Sequence, residues 1–302
     1  RGKYCGFVES RVNTVKDKEC RLALRRLSVL LQPLPVEDYE RLSGIEKESC
    51  GLFLNELVDK RILDKYAETF WFRHELIRFC VEQDLTEPEK RRYHEAVALF
   101  FQQKYDDAMK ANEKVDFNVG LGCAYHLHFA GKHNESFKHN LQFASFCFNT
   151  GSLDVAEDCY LRTMEDAEAL GDEGSKMAAK GNLANVYYIW GRMDEAFKTH
   201  SQLLEYFRKK DDKTDEAVAL YQLAVIKQDR GNYKRAVELY HQSLNINKKL
   251  GNQEGIAESL NQLALIHFLK SEYGEAEKLF KQSLEILKTF GKQSSIAVSL
   301  YN

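Results

Sequence analysis

Residues Leu220–Tyr240 read LYQLAVIKQDRGNYKRAVELY. Gly231 divides the stretch. Leu223 and Ala224 share one face before it, and Ala236, Val237, Tyr240 and Leu244 recur at helical spacing after it. The pattern predicts two helices joined at a glycine, since Gly accepts the left-handed conformation that ends a helix. The same grammar returns every forty residues: GSLDVA at 151–156, GRMDEA at 191–196, GNYKRA at 231–236 and SEYGEA at 271–276. A second series falls midway, at Leu170-Gly171-Asp172, Lys210-Asp211-Asp212, Leu250-Gly251-Asn252 and Phe290-Gly291-Lys292. Punctuation thus comes about every twenty residues, which fits one helix of roughly sixteen residues plus a turn. Small Ala positions let antiparallel helices approach, and larger residues fill the gaps. One helix pair buries little alone, so such pairs must stack.

Composition agrees with a mainly α chain. Of 302 residues, 44% are apolar and 29% charged, and the net charge is −3. The three prolines, Pro33, Pro35 and Pro88, all precede the repeats, as expected if the second half is helical. The near-neutral charge argues against general nucleic-acid binding, and no apolar run is long enough to span a membrane. The seven cysteines at 5, 20, 50, 80, 123, 147 and 159 include no C-x-x-C pair, which points to a reduced, cytoplasmic setting. The chain opens on Arg1, and Ile296–Leu300 repeats the pattern of Ile256–Leu260. It therefore reads as an excerpt, with residues 1–18 a linker from an upstream domain and the last repeat cut in its first helix.

The repeats resemble the tetratricopeptide repeat. The matching residues are Ala144, Ala184, Ala224 and Ala264 before the turn, the turn Gly seven later, and Ala156, Ala196, Ala236 and Ala276 in the second helix. Tyr160, His200, Tyr240 and Phe280 hold the aromatic position. The usual period is about 34, so forty implies longer helices. The resemblance covers residues 133–302 and implies an α-α superhelix.

Residues 19–85 follow other rules. Helices are expected over Glu19–Leu31, with Leu22, Leu27 and Leu30 inward, then over Val36–Ser43 up to Gly44, and over Lys47–Lys60. Short strands at 61–66 and 68–73 flank Ala67, and a helix follows over His74–Asp84. Three helices and a β-hairpin is the order of a winged helix. After Thr86-Glu87-Pro88-Glu89, a good helix start, a helix runs to about Gln103, and residues 86–132 are connecting helices.

This half resembles the C-terminal part of STAND-class signalling NTPases, the group of NB-ARC and MalT-like proteins. The resembling residues are Leu27–Leu30, Leu57–Leu63, above all Phe72-Arg73-His74-Glu75-Leu76-Ile77-Arg78, then Arg91–Ala98 and Ala124–Lys132. In NB-ARC relatives a Met-His-Asp motif follows the wing, and its His approaches the β-phosphate of ADP. Arg73-His74-Glu75 stands at that place, so the resemblance implies that His74 senses nucleotide state in a longer parent protein. The bland alternative is a packing or capping histidine. The chain itself has no phosphate loop, so ATP or ADP would belong to an upstream domain in cis. No catalytic motif is present, and this chain reads as a non-enzyme. The third helix region, 46–61, carries four acidic and three basic residues, which disfavours a DNA-reading helix. Cys123, His126, His128 and His133 are close in sequence. On one helix His126 and His128 point about 200° apart, so they read as scattered core and surface residues with no metal site.

The remaining functional surface is the groove lined by the first helix of each repeat. Its candidates are Gln142, Ser145 and Phe148; Asn182, Asn185, Tyr188 and Ile189; Tyr221, Gln222, Val225 and Gln228; and Asn261, Gln262, Leu265 and Phe268. Amides bond a peptide backbone in either polarity, and aromatic rings supply anchors. The expectation is a regulatory region whose repeats bind a protein or peptide and whose winged helix couples to a nucleotide domain. The alternatives are a non-switching scaffold and, further off, a DNA-binding regulator.

Overall fold

The computed structural model describes residues 10–43, 45, 47–67 and 69–289. Within it the backbone takes positive φ at Gly131, Gly151, Gly171, Gly191, Asp211, Gly231, Gly251 and Ser271, a strict twenty-residue beat. At Gly231 φ is +72° and an added Cβ would meet nothing within 4 Å, so only backbone energy demands glycine there. Gly231→Ala should therefore cost about 1–2 kcal/mol. The check is urea unfolding followed by Trp190 in a Trp71→Phe background, with Ser271→Gly, at φ +63°, moving the opposite way.

The residue after the turn caps the next helix. Asp212, Asn232 and Asn252 each accept the backbone N–H three residues on, at 3.1–3.2 Å. The elements are α1 (Lys18–Leu27), β1 (Leu34–Pro35), α2 (Val36–Ser43), α3 (Lys47–Asp59), β2 (Leu63–Tyr66), β3 (Thr69–Phe72) and α4 (Glu75–Gln83). The helices α5 (Glu87–Lys110), α6 (Phe117–Phe129), α7 (His133–Thr150) and α8 (Leu153–Ala169) follow. The rest are α9 (Glu173–Ile189), α10 (Met193–Lys210), α11 (Lys213–Asp229), α12 (Tyr233–Leu250), α13 (Gln253–Leu269) and α14 (Tyr273–Thr289). They form two compact units. The first runs to Asn149 and takes in Glu165–Asp172; the second holds Thr150–Met164 and the chain from Glu173.

In the first unit α1, α2 and α3 pack with a three-stranded antiparallel sheet of order β1-β3-β2. Leu24, Leu54, Leu57, Ile62, Leu63, Phe70 and Phe72 are among its buried residues. The Tyr39 hydroxyl donates to the Phe70 carbonyl, and its ring meets the Phe70 ring edge-on at 6.5 Å. The hairpin turns at Ala67, with φ +52°. Three expectations are corrected. Helix α1 ends at Leu27, where Ser28 caps it, and Leu22 faces outward while Ala23 and Leu24 face in. The segment with Pro33 and Pro35 does more than stop a helix: Leu34 and Pro35 pair with Phe70 and Thr69 as an edge strand, where proline's missing N–H costs nothing. Helix α5 runs to Lys110 rather than Gln103. It starts with the capping box of Thr86 and Glu89.

The second unit is helical. Ala156, Ala184, Ala196, Ala224, Ala236, Ala264 and Ala276 are all buried. Its core gathers Leu220, Leu223, Leu239, Tyr240, Leu244, Ile256, Leu260, Leu263 and Ile266. The repeat extends to single bonds: Ser243 Oγ donates to the Ala217 carbonyl at 2.9 Å, and forty residues on Ser283 Oγ donates to Ala257 at 2.8 Å. No helix among the described residues is long and apolar enough to cross a membrane. No disulfide joins the described cysteines. The linker residues 1–9, Gly44, Glu46, Glu68 and the cut repeat at Ile296–Leu300 lie outside the described residues.

Candidate functional site

Helices α9, α11 and α13 are the first members of successive pairs, and their polar side chains meet one another. Tyr188 on α9 donates to Asp229 on α11. Gln228 Nε2 on α11 donates to Gln262 Oε1 on α13 at 3.3 Å, and Gln262 Nε2 returns a bond to the Tyr221 hydroxyl at 3.3 Å. These cross-helix bonds show that the three helices present one shared polar face. Burial and the adjacent Asp229 push the Tyr188 hydroxyl up to about 12. Burial likewise raises Tyr221. Both phenols stay protonated donors at neutral pH.

Gln228 Oε1 on this face and Asn261 Oδ1 on α13 are buried with no hydrogen-bond partner among the described residues. A buried carbonyl oxygen left unsatisfied costs about 1–3 kcal/mol, and with almost no exposed area either oxygen meets a ligand only if its amide turns outward. Two hollows lie elsewhere along these helices. One, of about 190 Å³, is lined by Asn182, Asn185 and Gln222 with His200 and Asp215. The other, of about 290 Å³, is lined by Tyr221 and Gln222 with Ser243, Asn247 and Glu258. His200 is buried, and burial lowers its imidazole to about 4, so it faces the first hollow uncharged. Phe268 is exposed, its ring edge-on to Tyr273 at 5.6 Å. Ile189 is exposed, whereas Val225 and Leu265 are half-buried.

The α7 candidates lie in the first unit. Gln142 accepts from the Tyr105 hydroxyl at 3.4 Å and lines a separate hollow of about 240 Å³ with Met109, Phe117, Phe143 and Phe146. Ser145 bonds its own helix at the Leu141 carbonyl, and Phe148 is half-buried. The aromatic hollow was not legible in the sequence, because Tyr105 and Phe117 are brought to α7 only by tertiary packing.

His74 is exposed and sits at the N-cap of α4 in extended conformation, with no side-chain cap bond. Its neighbours are engaged: Arg73 pairs with Asp64 at 3.9 Å, and Glu75 accepts from Trp71 Nε1 and Arg78. The histidines around residue 130 part ways. His126 turns inward, its Nδ1 2.9 Å from His94 Nδ1. His128 and His133, expected as scattered residues, instead converge on Asp166, each Nδ1 2.8 Å from Oδ1. Asp166 is more than thirty positions away in sequence, so no local spacing could announce it.

Residues 215–289 match the tetratricopeptide repeat family model. No curated protein matches the chain. Among solved structures, aspartyl phosphate phosphatase F from Bacillus subtilis is similar over 97% of this chain and 77% of its own, at 11% identity and a TM-score of 0.55, a likeness of fold alone. A Signal Transduction ATPase with Numerous Domains (STAND) protein with a tetratricopeptide repeat sensor, from Pyrococcus horikoshii, aligns with 98% of this chain at 16% identity and a TM-score of 0.47. The chain spans about half of that protein's length, 54%. NprR in complex with its cognate peptide NprX aligns over 85% of this chain and 83% of its own, at 15% identity and a TM-score of 0.44.

Proposed function

We propose that this chain is the ligand-sensing and regulatory part of a larger cytoplasmic signalling protein, and that the shared face of α9, α11 and α13 binds an extended peptide or protein segment. The observation that carries this is the row of amides and phenols bonded to one another across the three helices. A peptide backbone offers N–H groups at regular spacing and carbonyls between them. Asn182, Asn185 and Gln222 answer both, and Tyr188, Tyr221 and Phe268 offer apolar contact. Asp215 and Asp229 add negative charge, which favours a ligand with a basic group.

The first unit supports the coupling half of this reading. Three helices and a sheet of order β1-β3-β2 with a tight hairpin fit a winged helix. His74 follows the hairpin directly, and its exposed side chain is open to a nucleotide domain in cis. Nucleotide would be held by that upstream domain and not by this chain, for which we propose no catalysis of its own. Ligand on the repeats changes the nucleotide state only by binding one conformation of the parent better than the other.

The test is selection of random short peptides against the immobilised full chain, followed by titration of the enriched sequences. Tyr188→Ala and Gln228→Leu should each weaken binding about tenfold, roughly 1.4 kcal/mol, the first by removing an aromatic contact and the second by breaking the row of bonded amides. Binding that survives both substitutions unchanged would place the ligand elsewhere and refute the assignment.

A further inference from the structure

We infer that His128, His133 and Asp166 form a binding site for a divalent transition metal, with zinc the best-fitting ion. Their ligand atoms all lie within 4.8 Å of one another. His128 is at the C-terminal end of α6, His133 begins α7 across the Gly131 turn, and Asp166 sits in the last turns of α8. All three belong to the first unit.

The Asp166 carboxylate is fully buried. Ser136 Oγ donates to its Oδ2, leaving Oδ1 facing both imidazoles. His128 Nε2 lies 3.1 Å from Glu165 Oε2, which can accept a ring proton there. A proton on Nε2 leaves His128 Nδ1, 2.8 Å from Asp166 Oδ1, with a lone pair to give a metal. His133 Nδ1 approaches the same oxygen at 2.8 Å. Nitrogens this close to a carboxylate oxygen need a positive centre between them. Either an added proton or a metal ion supplies it, and a metal engages all three atoms at once. The carboxylate behind His128 is the arrangement that orients a ligating imidazole and makes it a stronger donor.

The donor set of two imidazole nitrogens and one carboxylate oxygen, with no thiolate, suits zinc, and Co²⁺, Ni²⁺ and Cu²⁺ in the usual affinity order. Ligand atoms about 2.1 Å from a tetrahedral ion sit roughly 3.4 Å apart, so the observed 2.8 Å contacts need only open by about half an ångström. His133 and Glu165 are part exposed and give the ion a way in. The bound ion would tie the last turns of α8 to the α6–α7 turn.

The experiment is titration of chelator-treated full chain with Co²⁺ at pH 7.5, followed by Zn²⁺ displacement. One equivalent should bind with the visible spectrum of a four-coordinate N/O site and no sulfur-to-metal charge transfer, which separates it from cysteine capture. His133→Ala, at a part-exposed position, should keep the native circular dichroism and bind at least thirtyfold more weakly; Glu165→Gln should lose about tenfold. Absence of stoichiometric binding by the folded wild type would overturn the site. So would equal affinity in His133→Ala, which would show a surface carboxylate holding the ion.

Discussion

Between pH 6.5 and 4 both units should lose stability steeply, the repeats chiefly through His200 and the first unit through His94 and His126. Burial lowers His200 and His94 to about 4, with Lys90 adding to the effect at His94. Burial pushes His126 well below its ordinary range, with His94 beside it. Each imidazole has a lower pKa folded than unfolded. Above about 6.5 it is neutral in both states and contributes no pH dependence. As pH falls below 6.5 the unfolded chain takes up protons first, and stability drains until the folded group titrates. For His200 or His94 alone the loss by pH 4 is about 3 kcal/mol, since each pH step of one between the unfolded and folded values is worth roughly 1.4 kcal/mol. His94 and His126 add a geometric reason. Their Nδ1 atoms share one hydrogen bond, so protonating the acceptor would set N–H against N–H. Carboxylates act lower: Glu216, partly desolvated but held low overall by Arg208 and Lys213, gives up its stabilisation only below its ordinary range. Urea unfolding at pH 7.5, 6.0 and 5.0, read on Trp71 and Trp190 separately, tests this. His200→Asn should flatten the profile read on Trp190. A flat wild-type profile would show that water reaches these rings.

Gly122→Val should cost the first unit about 3 kcal/mol, more than most single core changes that add volume. A Cβ at Gly122 would lie 2.6 Å from Phe101 Cγ and Cδ2 and 2.8 Å from Cδ1. That is about an ångström inside contact distance, against ring atoms that cannot fold away. Phe101 is buried, meets Phe100 edge-on at 5.2 Å and lies parallel to the His126 ring at 5.8 Å. Displacing it therefore pushes on the His94–His126 bond as well. Alanine would recover up to about 1 kcal/mol of helix propensity, which is why the branched residue is the sharper probe. Unfolding of a Trp190→Phe protein, followed by Trp71, gives the measurement. A loss below about 0.5 kcal/mol would mean that Phe101 has room to move.

Much of the second unit was legible because its signals are local and repeated. An Ala that recurs every forty residues at a helix contact is buried in each copy described. The positive-φ beat falls where the glycines do, and where Asp211 and Ser271 replace them. The hairpin about Ala67 was legible for the same reason, as a short pattern broken at one residue. The strand at Leu34–Pro35 was not. Two residues carry no periodicity, and what makes them a strand is the free edge of β3. The shared polar face was half legible. Its residue types followed from helix phase, but the bonds from Gln262 to Tyr221 and from Tyr188 to Asp229 span about forty positions and depend on how neighbouring pairs stack.

The helices, their length and the turns between them are written in the order of residues, because propensity, capping and the left-handed turn act within a few positions of the chain. Which polar groups end up together is a matter of tertiary packing. The partner of His128 is Asp166 and not His126, and His126 is bonded to His94. Helix phase sets the direction in which a side chain leaves its axis. Only the packing of a second helix against that face settles what it meets there.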